Sequence, residues 1–345
     1  MNTISIALCF GNDYCTMAAG ALASIIAQAS DKYVYDIYIV HNGISEQNQE
    51  LLKGINKKPN VTVRFIYFDL NKAVDEGGHV YVSRHIATTS YTRLFLHKII
   101  PELDRILYLD GDTIVTTDVA KLFNTDLGDS SIGVCQECGI HYDGIEFLKD
   151  VKLVSELPEF DDYKNIYEYN RNYMKFSDDD IKYTFNSGVI LFNYKKAALP
   201  LKKLPEVMEK RYFHHDQDIL NIIFRYDRKL LDIKYNTFID YLPRYMKKND
   251  TLPAIIHFAG PKPYTRESKF GDEYYWDSLK DTGFYDSAVQ QLEYSKKLNF
   301  RRKVIRRSLK YFIGKRNYDL LKSDPAMFFK TSHSKWLRYI GRFYL

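Results

Sequence analysis

The run Tyr108-Leu109-Asp110-Gly111-Asp112-Thr113 sets two carboxylates one residue apart, directly after an apolar stretch. On extended backbone residues i and i+2 face the same way, so both oxygens can reach one cation. Hard divalent ions such as Mg²⁺ and Mn²⁺ favour such ligands, usually completed by water and substrate phosphates. The plain alternative is a pair of turn-forming Asp residues at a strand end. Three further stretches carry chemistry. Phe185-Asn186-Ser187-Gly188-Val189-Ile190-Leu191-Phe192-Asn193 is an apolar strand with a polar entry, and His215-Asp216-Gln217-Asp218-Ile219-Leu220-Asn221 opens a helix with carboxylate, amide and carboxylate. Ile255-Ile256-His257-Phe258-Ala259-Gly260-Pro261-Lys262-Pro263-Tyr264 ends a strand on His and continues into a Gly-Pro turn that carries Lys. Singly, each has a bland explanation: Asp216 as a helix N-cap, His257 as a core residue, Lys262 as a solvated loop charge.

The elements that must hold these residues alternate. Ile4–Phe10, Asp36–His41, Val61–Phe68 and Arg105–Leu109 read as strands. An Ala-rich helix to about Ala29, a helix over Ile44–Ile55 with Ser45 as N-cap, and a helix over Ser90–Ile100 stopped by Pro101 fall between them. This alternation predicts an α/β fold with a mostly parallel sheet flanked by helices, whose ligands bind beyond the carboxyl ends of the strands. Between Gly139 and Asp180 the pattern loosens into Tyr-, Asn- and Asp-rich sequence, read as an insertion or a mobile cover. A strand over Tyr183–Asn193, a helix over Gln217–Arg225 and a strand over Ala254–Phe258 follow. Phosphatases of the haloacid-dehalogenase type also place two Asp after a strand. They require Thr four positions after the first Asp, where this chain has Ile114 and sets Thr113 one position early.

Taken in order with the Asp-Gly-Asp, these stretches resemble the retaining glycosyltransferases of family 8, from about Ile4 to Tyr264. The resemblance implies a GT-A (Rossmann-like) fold and transfer of a hexose, glucose or galactose, from a UDP-sugar. It implies that Asp110, Asp112 and His257 bind the metal, Mn²⁺ with Mg²⁺ as the alternative. By the same likeness Lys262 and Gly260 meet the donor diphosphate, and Arg93, Asp110 and Gly111 hold the sugar nucleotide. Asn186, Asp216 and Gln217 line the donor sugar at the reacting carbon, and His85 and Ile86, beside Arg84, border the acceptor. The first turn departs from the family pattern. Gly11-Asn12-Asp13-Tyr14 stands where relatives carry leading acids that touch uracil, which leaves Asn12 and Asp13 as the base-binding candidates. The closing aromatic, usually Trp, is Tyr264. Retention is implied by the family. Because an amide is a poor nucleophile, Gln217 fits a front-face route better than a covalent intermediate of the glycosidase kind.

Composition narrows the partners. With 45% apolar and 27% charged residues, the chain has the make-up of a globular protein with a sizeable core. No run reaches the roughly 18–20 apolar residues of a membrane-spanning helix. The start, MNTISIALCF, has no basic lead-in and does not read as a secretory signal. Four Cys, two of them the lone Cys135-x-x-Cys138, lack the further ligands a zinc site needs and read as buried or idle thiols. The net charge of +5 conceals an asymmetry: from Lys296 to Leu345 there are 15 basic and 2 acidic residues, so the rest is acidic by 8. Lys296–Arg316 holds ten basic residues and no acid, with Val304, Ile305, Leu309, Phe312 and Ile313 at helical spacing. That is the signature of a helix lying on an anionic membrane surface. Trp336, Tyr339, Ile340 and Phe343 suggest a second stripe. The sequence is therefore divided into a catalytic domain, 1–280, and a helical, basic, membrane-associating tail, 281–345. It is placed in the cytoplasm, at the inner face of the membrane. The expected acceptor is a lipid-linked glycan such as lipopolysaccharide, with a protein or soluble glycan as the alternative. Nucleic-acid binding by the tail is the non-enzymatic reading, and an acidic body disfavours it.

Overall fold

The computed structural model describes residues 2–70, 88–155, 157–266 and 268–323. His85 and Ile86 lie outside the described residues, as do Trp336, Tyr339, Ile340 and Phe343. Met1–Pro263 with Ser268–Ala288 form one compact unit, and Tyr264–Glu267 with Val289–Leu345 a second.

In the first unit the strands are β1 (Thr3–Cys9), β2 (Val34–His41), β3 (Val61–Tyr67), β4 (Arg105–Leu109), β5 (Thr113–Val115), β6 (Ile132–Gln136), β7 (Phe185–Asn193), β8 (Arg228–Leu231), β9 (Thr237–Phe238) and β10 (Ile255–His257). Seven of them make a sheet in the order β3-β2-β1-β4-β7-β6-β8. The first four strands in that order run parallel, while β7 is antiparallel to both β4 and β6. Strands β1 and β4 are buried almost throughout, which is why both read as unbroken apolar runs rather than alternating ones. A smaller sheet, β5-β10-β9, is entered directly from β4 through Asp110-Gly111-Asp112.

The Ala-rich helix Cys15–Gln28 follows β1 and is almost wholly buried. Gly20 interrupts its apolar run for a packing reason. A Cβ there would stand 3.0 Å from the ring of Tyr275, whose hydroxyl donates to the Thr16 carbonyl at 3.1 Å. Ser45 caps the helix Glu46–Lys53, its Oγ accepting from Asn48 N at 3.3 Å.

Two expectations need correcting. The segment expected as a helix over Ser90–Ile100 is a 3₁₀ stretch, Thr88–Phe95, followed by one α-turn, Leu96–Ile99. The Ser90 carbonyl accepts from the Arg93 side chain instead of serving a regular α-helical ladder. The loosened region after Gly139 is not an open cover. It folds as the short helices Cys138–Asp143, Phe147–Asp150, Ile166–Glu168 and Asp178–Lys182, with Phe160 and Tyr169 fully buried in the main core. Its low periodicity reflects segments of three to six residues, too short to repeat a helical stripe.

All four Cys are unpaired and buried. Burial pushes the Cys138 thiol up to about 12, so it stays protonated, donating to the Asn236 carbonyl at 3.4 Å and accepting from Phe238 N at 3.3 Å. In the second unit the described part includes most of the helix Tyr285–Ser323, which exposes Tyr294, Phe300, Val304 and Tyr311. No helix among the described residues is long and apolar enough to cross a membrane.

Candidate active site

The site lies where β4 leaves the large sheet. Asp110 N donates to the Gly188 carbonyl of β7 at 2.7 Å, and Thr113 N and Oγ1 return to the Asp110 carbonyl at 3.2 and 2.8 Å. These bonds close the turn and aim both carboxylates to one side. Phe258 N donates to the Asp112 carbonyl at 2.8 Å, and β10 sets His257 opposite Thr113. One ligand atom each from Asp110, Asp112 and His257 thus lies within 4.8 Å of the others. His257 Nε2 stands 3.2 Å from Asp112 Oδ1 and 3.8 Å from Asp110 Oδ2. Two carboxylate oxygens and one imidazole nitrogen are a donor set that could hold a divalent cation. The three groups close tightly on position 188, where a Cβ would come within 2.3 Å of His257 Cε1 and 2.9 Å of Asp110 Oδ2.

Lys262 Nζ donates to Asp112 Oδ2 at 2.5 Å and to the Phe258 carbonyl at 3.0 Å, and lies 5.6 Å from the ring centre of Tyr14. Burial alone would push the Asp112 carboxyl up. The Lys262 ammonium and the His257 ring beside it win, and hold it well below the usual carboxylate range.

A buried guanidinium joins the metal-type pair to the helix Asp216–Ile223. Arg93 NH2 meets Asp110 Oδ1 at 2.9 Å and Arg93 Nε meets Asp216 Oδ2 at 3.1 Å. Its NH1 donates to the Ser187 carbonyl and Oγ at 2.7 and 3.1 Å, and its plane lies 4.5 Å over the Tyr108 ring. Arg93 is thus committed to protein groups on most of its donors and acts first as a strut. Although burial opposes its charge, Asp110 and Asp216 together hold it protonated. Asp216 receives only a share of that cation. Its burial outweighs Arg93, and with Asp110 adding repulsion its carboxyl is pushed up to about 6.

The reacting-carbon candidates follow on the same helix. His215, directly before it, holds φ +52° and ψ −122°, a conformation that costs a non-glycine residue on the order of 1–3 kcal/mol. Strain of this kind concentrates where surrounding structure over-determines a position. Tyr169 Oη and His214 N both donate to Asp218 Oδ2 at 2.8 Å, and Asn221 brackets the backbone of Phe185 and the Gln217 carbonyl. Gln217 Oε1 accepts from Asn186 Nδ2 at 2.9 Å and from Ser187 N at 3.2 Å, so both its lone pairs are occupied.

The remaining candidates stand as follows. Gly111 is packed, a Cβ there meeting Ala18 at 3.2 Å and Tyr14 at 3.3 Å. Gly260 holds φ +93° with open space around it, so backbone conformation is what demands glycine. Asn12 Oδ1 accepts from Ser45 N and Asn48 Nδ2 at 3.0 and 2.9 Å, which ties the first turn to the helix Glu46–Lys53; Asp13 beside it is exposed. The structure therefore brings together Arg93, Asp110, Asp112, Asn186, Asp216, Gln217, His257 and Lys262. Ser187, Gly188, Tyr108 and Asn236 complete the site without having been singled out by residue pattern. Only Gly188, a glycine inside an apolar strand, carried a local hint of close approach.

Residues 5–267 match the family model described as Glycosyl transferase family 8. General stress protein A of Bacillus subtilis is 24% identical over 294 residues, covering 78% of this chain and 91% of that protein. The lipopolysaccharide 1,2-glucosyltransferase of Escherichia coli K12 is 26% identical, over 57% of this chain and 56% of its own length. Among solved structures, the galactosyltransferase LgtC in complex with donor and acceptor sugar analogs superposes with a TM-score of 0.61 at 22% identity, over 81% of this chain and 96% of that one.

Proposed function

The chain belongs to glycosyl transferase family 8, with the GT-A fold, and on that footing we propose that it is a metal-dependent, retaining hexosyltransferase. It moves glucose or galactose from a UDP-sugar to a glycan acceptor, lipid-linked and of the lipopolysaccharide or surface-polysaccharide class. The observation that carries this reading is the convergence of Asp110, Asp112 and His257 within 4.8 Å, one strut away from Asp216 and linked to Gln217 through Asn236 and Asn186.

Asp110, Asp112 and His257 would hold the cation, Mn²⁺ or Mg²⁺. When bound, it supplies Lewis-acid relief of the negative charge that grows on the departing diphosphate. Lys262 adds fixed positive charge on the same side, and Gly260 gives the diphosphate access to backbone. Asn12 and Asp13 receive the uracil. Arg93 keeps Asp110 and Asp216 at a fixed separation, so that the leaving group and the hexose are held in one geometry. Asp216 and Asn186 orient the hexose. Because the Gln217 oxygen already accepts two hydrogen bonds, what it offers a sugar is its Nε2 donor pair. That supports a front-face route, in which the acceptor hydroxyl enters on the side UDP leaves and the leaving phosphate takes its proton. His85 and Ile86 belong to the acceptor side. The basic segment 296–316 rests on the anionic inner face of the cytoplasmic membrane and brings residues 1–280 to a lipid-linked acceptor.

UDP release by the purified chain, measured across a panel of UDP-sugars with Mn²⁺ and with chelator, tests the reading. Release from UDP-glucose or UDP-galactose, lost with chelator and in Asp112→Asn, is expected. No release from any UDP-sugar refutes it.

A further inference from the structure

Asn236 has no feature that draws notice in the sequence, yet it is almost fully buried at the centre of the site. It stands between the 3₁₀ turn Ile233–Tyr235 and β9, its backbone N held by the Ile233 carbonyl at 2.9 Å. Its side chain is engaged at both ends. Oδ1 lies 2.8 Å from His257 Nδ1, and Nδ2 donates to Asn186 Oδ1 at 2.9 Å.

The direction of this chain of amides is set by backbone groups that cannot be reversed. Gly188 N donates to Asn186 Oδ1 at 2.9 Å, so that atom is the oxygen and Asn186 Nδ2 faces Gln217. Ser187 N donates to Gln217 Oε1, which fixes the second amide the same way. Asn236 must then point its NH₂ at Asn186 and its oxygen at His257. An oxygen accepts only, so His257 Nδ1 carries the proton, and in the neutral ring Nε2 keeps its lone pair toward Asp110 and Asp112.

We propose that Asn236 is a positioning residue that selects the Nδ1–H tautomer of His257 and locks the ring in its ligating orientation. Through Asn186 the same relay registers Gln217, on the sugar side, against the metal ligand. The proposal rests on the cation site proposed above. Its physical basis is that a ligating imidazole is tuned by the partner of its other nitrogen, whose removal typically weakens metal binding by about 10–100-fold.

The test uses the full chain with two readouts. In the metal-free protein, ¹⁵N NMR recorded where the His257 ring carries a single proton should report that proton on Nδ1 in the wild type. In Asn236→Ala that preference should be lost. Titration with Mn²⁺ alone should show affinity falling by about 10–100-fold in Asn236→Ala. Asn236→Asp, which keeps an oxygen facing Nδ1, should recover part of it. Should Asn236→Ala fail to fold, Asn236→Asp with the wild-type spectrum carries the test, and an Nε2–H tautomer in the wild type overturns the proposal. A folded Asn236→Ala that binds Mn²⁺ as tightly as wild type also overturns it, while leaving the cation site standing. A wild type that shows the Nδ1–H tautomer but binds no Mn²⁺ refutes the cation site and, with it, the role in ligation.

Discussion

Gly188→Ala should disturb the proposed cation site without substituting any of its ligand residues. The added methyl would stand 2.3 Å from His257 Cε1 and 2.9 Å from Asp110 Oδ2 and Asn186 Oδ1. Carbon atoms meet comfortably at about 3.5 Å, so the imidazole must retreat by about 1.2 Å or β7 must bend. Gly188 is not among the glycines held at positive φ, so the backbone itself accepts alanine and the whole cost lies in these contacts. Metal–ligand distances tolerate only about 0.2 Å, so His257 leaves the ligand set. Mn²⁺ affinity should fall by at least about 10–100-fold, and overpacking should lower stability by about 1–3 kcal/mol. Calorimetric titration with Mn²⁺ measures the first and thermal unfolding the second. A folded Gly188→Ala protein with unchanged Mn²⁺ affinity would refute the assignment of His257 as a ligand.

Asp216 gives a pH prediction. Its folded carboxyl titrates near 6 against an ordinary 3.8, so the folded state keeps a proton that the unfolded chain has released. Stability from this group is full below about pH 4 and falls as pH rises toward 6, by about 3 kcal/mol at one unit per 1.36 kcal/mol. Metal-free unfolding at pH 5 and pH 7, compared with Asp216→Asn, measures it; parallel pH dependence in the two proteins would contradict the shift. Asp180 caps the helix Asp178–Lys182 with Ser177 and takes Arg225 on both oxygens, Nε to Oδ1 at 2.6 Å. Asp180→Ala should cost about 2 kcal/mol in denaturant unfolding while leaving kcat unchanged. For the basic segment, the full chain should bind vesicles of anionic lipid but not zwitterionic ones, with binding falling as salt is raised and no comparable binding to RNA; retention in high salt would argue against it.

The three candidate ligands are visible in the sequence because they cluster at strand ends: Asp110 follows the apolar run of β4, Asp112 stands in the turn before β5, and His257 closes β10. The fold brings these ends together. What pattern reading cannot see is chosen by tertiary pairing. Asn236 meets partners 21 and 50 positions away, and nothing in Tyr235-Asn236-Thr237 marks it locally. Three-residue strands such as β5 are too short to display a period. The antiparallel placement of β7 between β4 and β6 is likewise a property of the assembled sheet. Arg93 illustrates a middle case: the sequence flags the residue, but only the structure assigns it the work of a strut between two carboxylates.

The proposed cation ligands come from two different sheets. Asp110 closes β4 of the large one, while Asp112 and His257 border β5 and β10 of the small one. Three strands of two or three residues have little cohesion of their own. An ion held by all three ligands would therefore rivet the minor sheet to the major one, and its free energy of binding would appear as resistance of that sheet to local opening. Amide hydrogens of β5 and β10 should then exchange faster in chelator than with Mn²⁺, while those of β1 and β2 remain indifferent. Cation occupancy would report not only on readiness for chemistry but on how firmly one corner of the fold is closed.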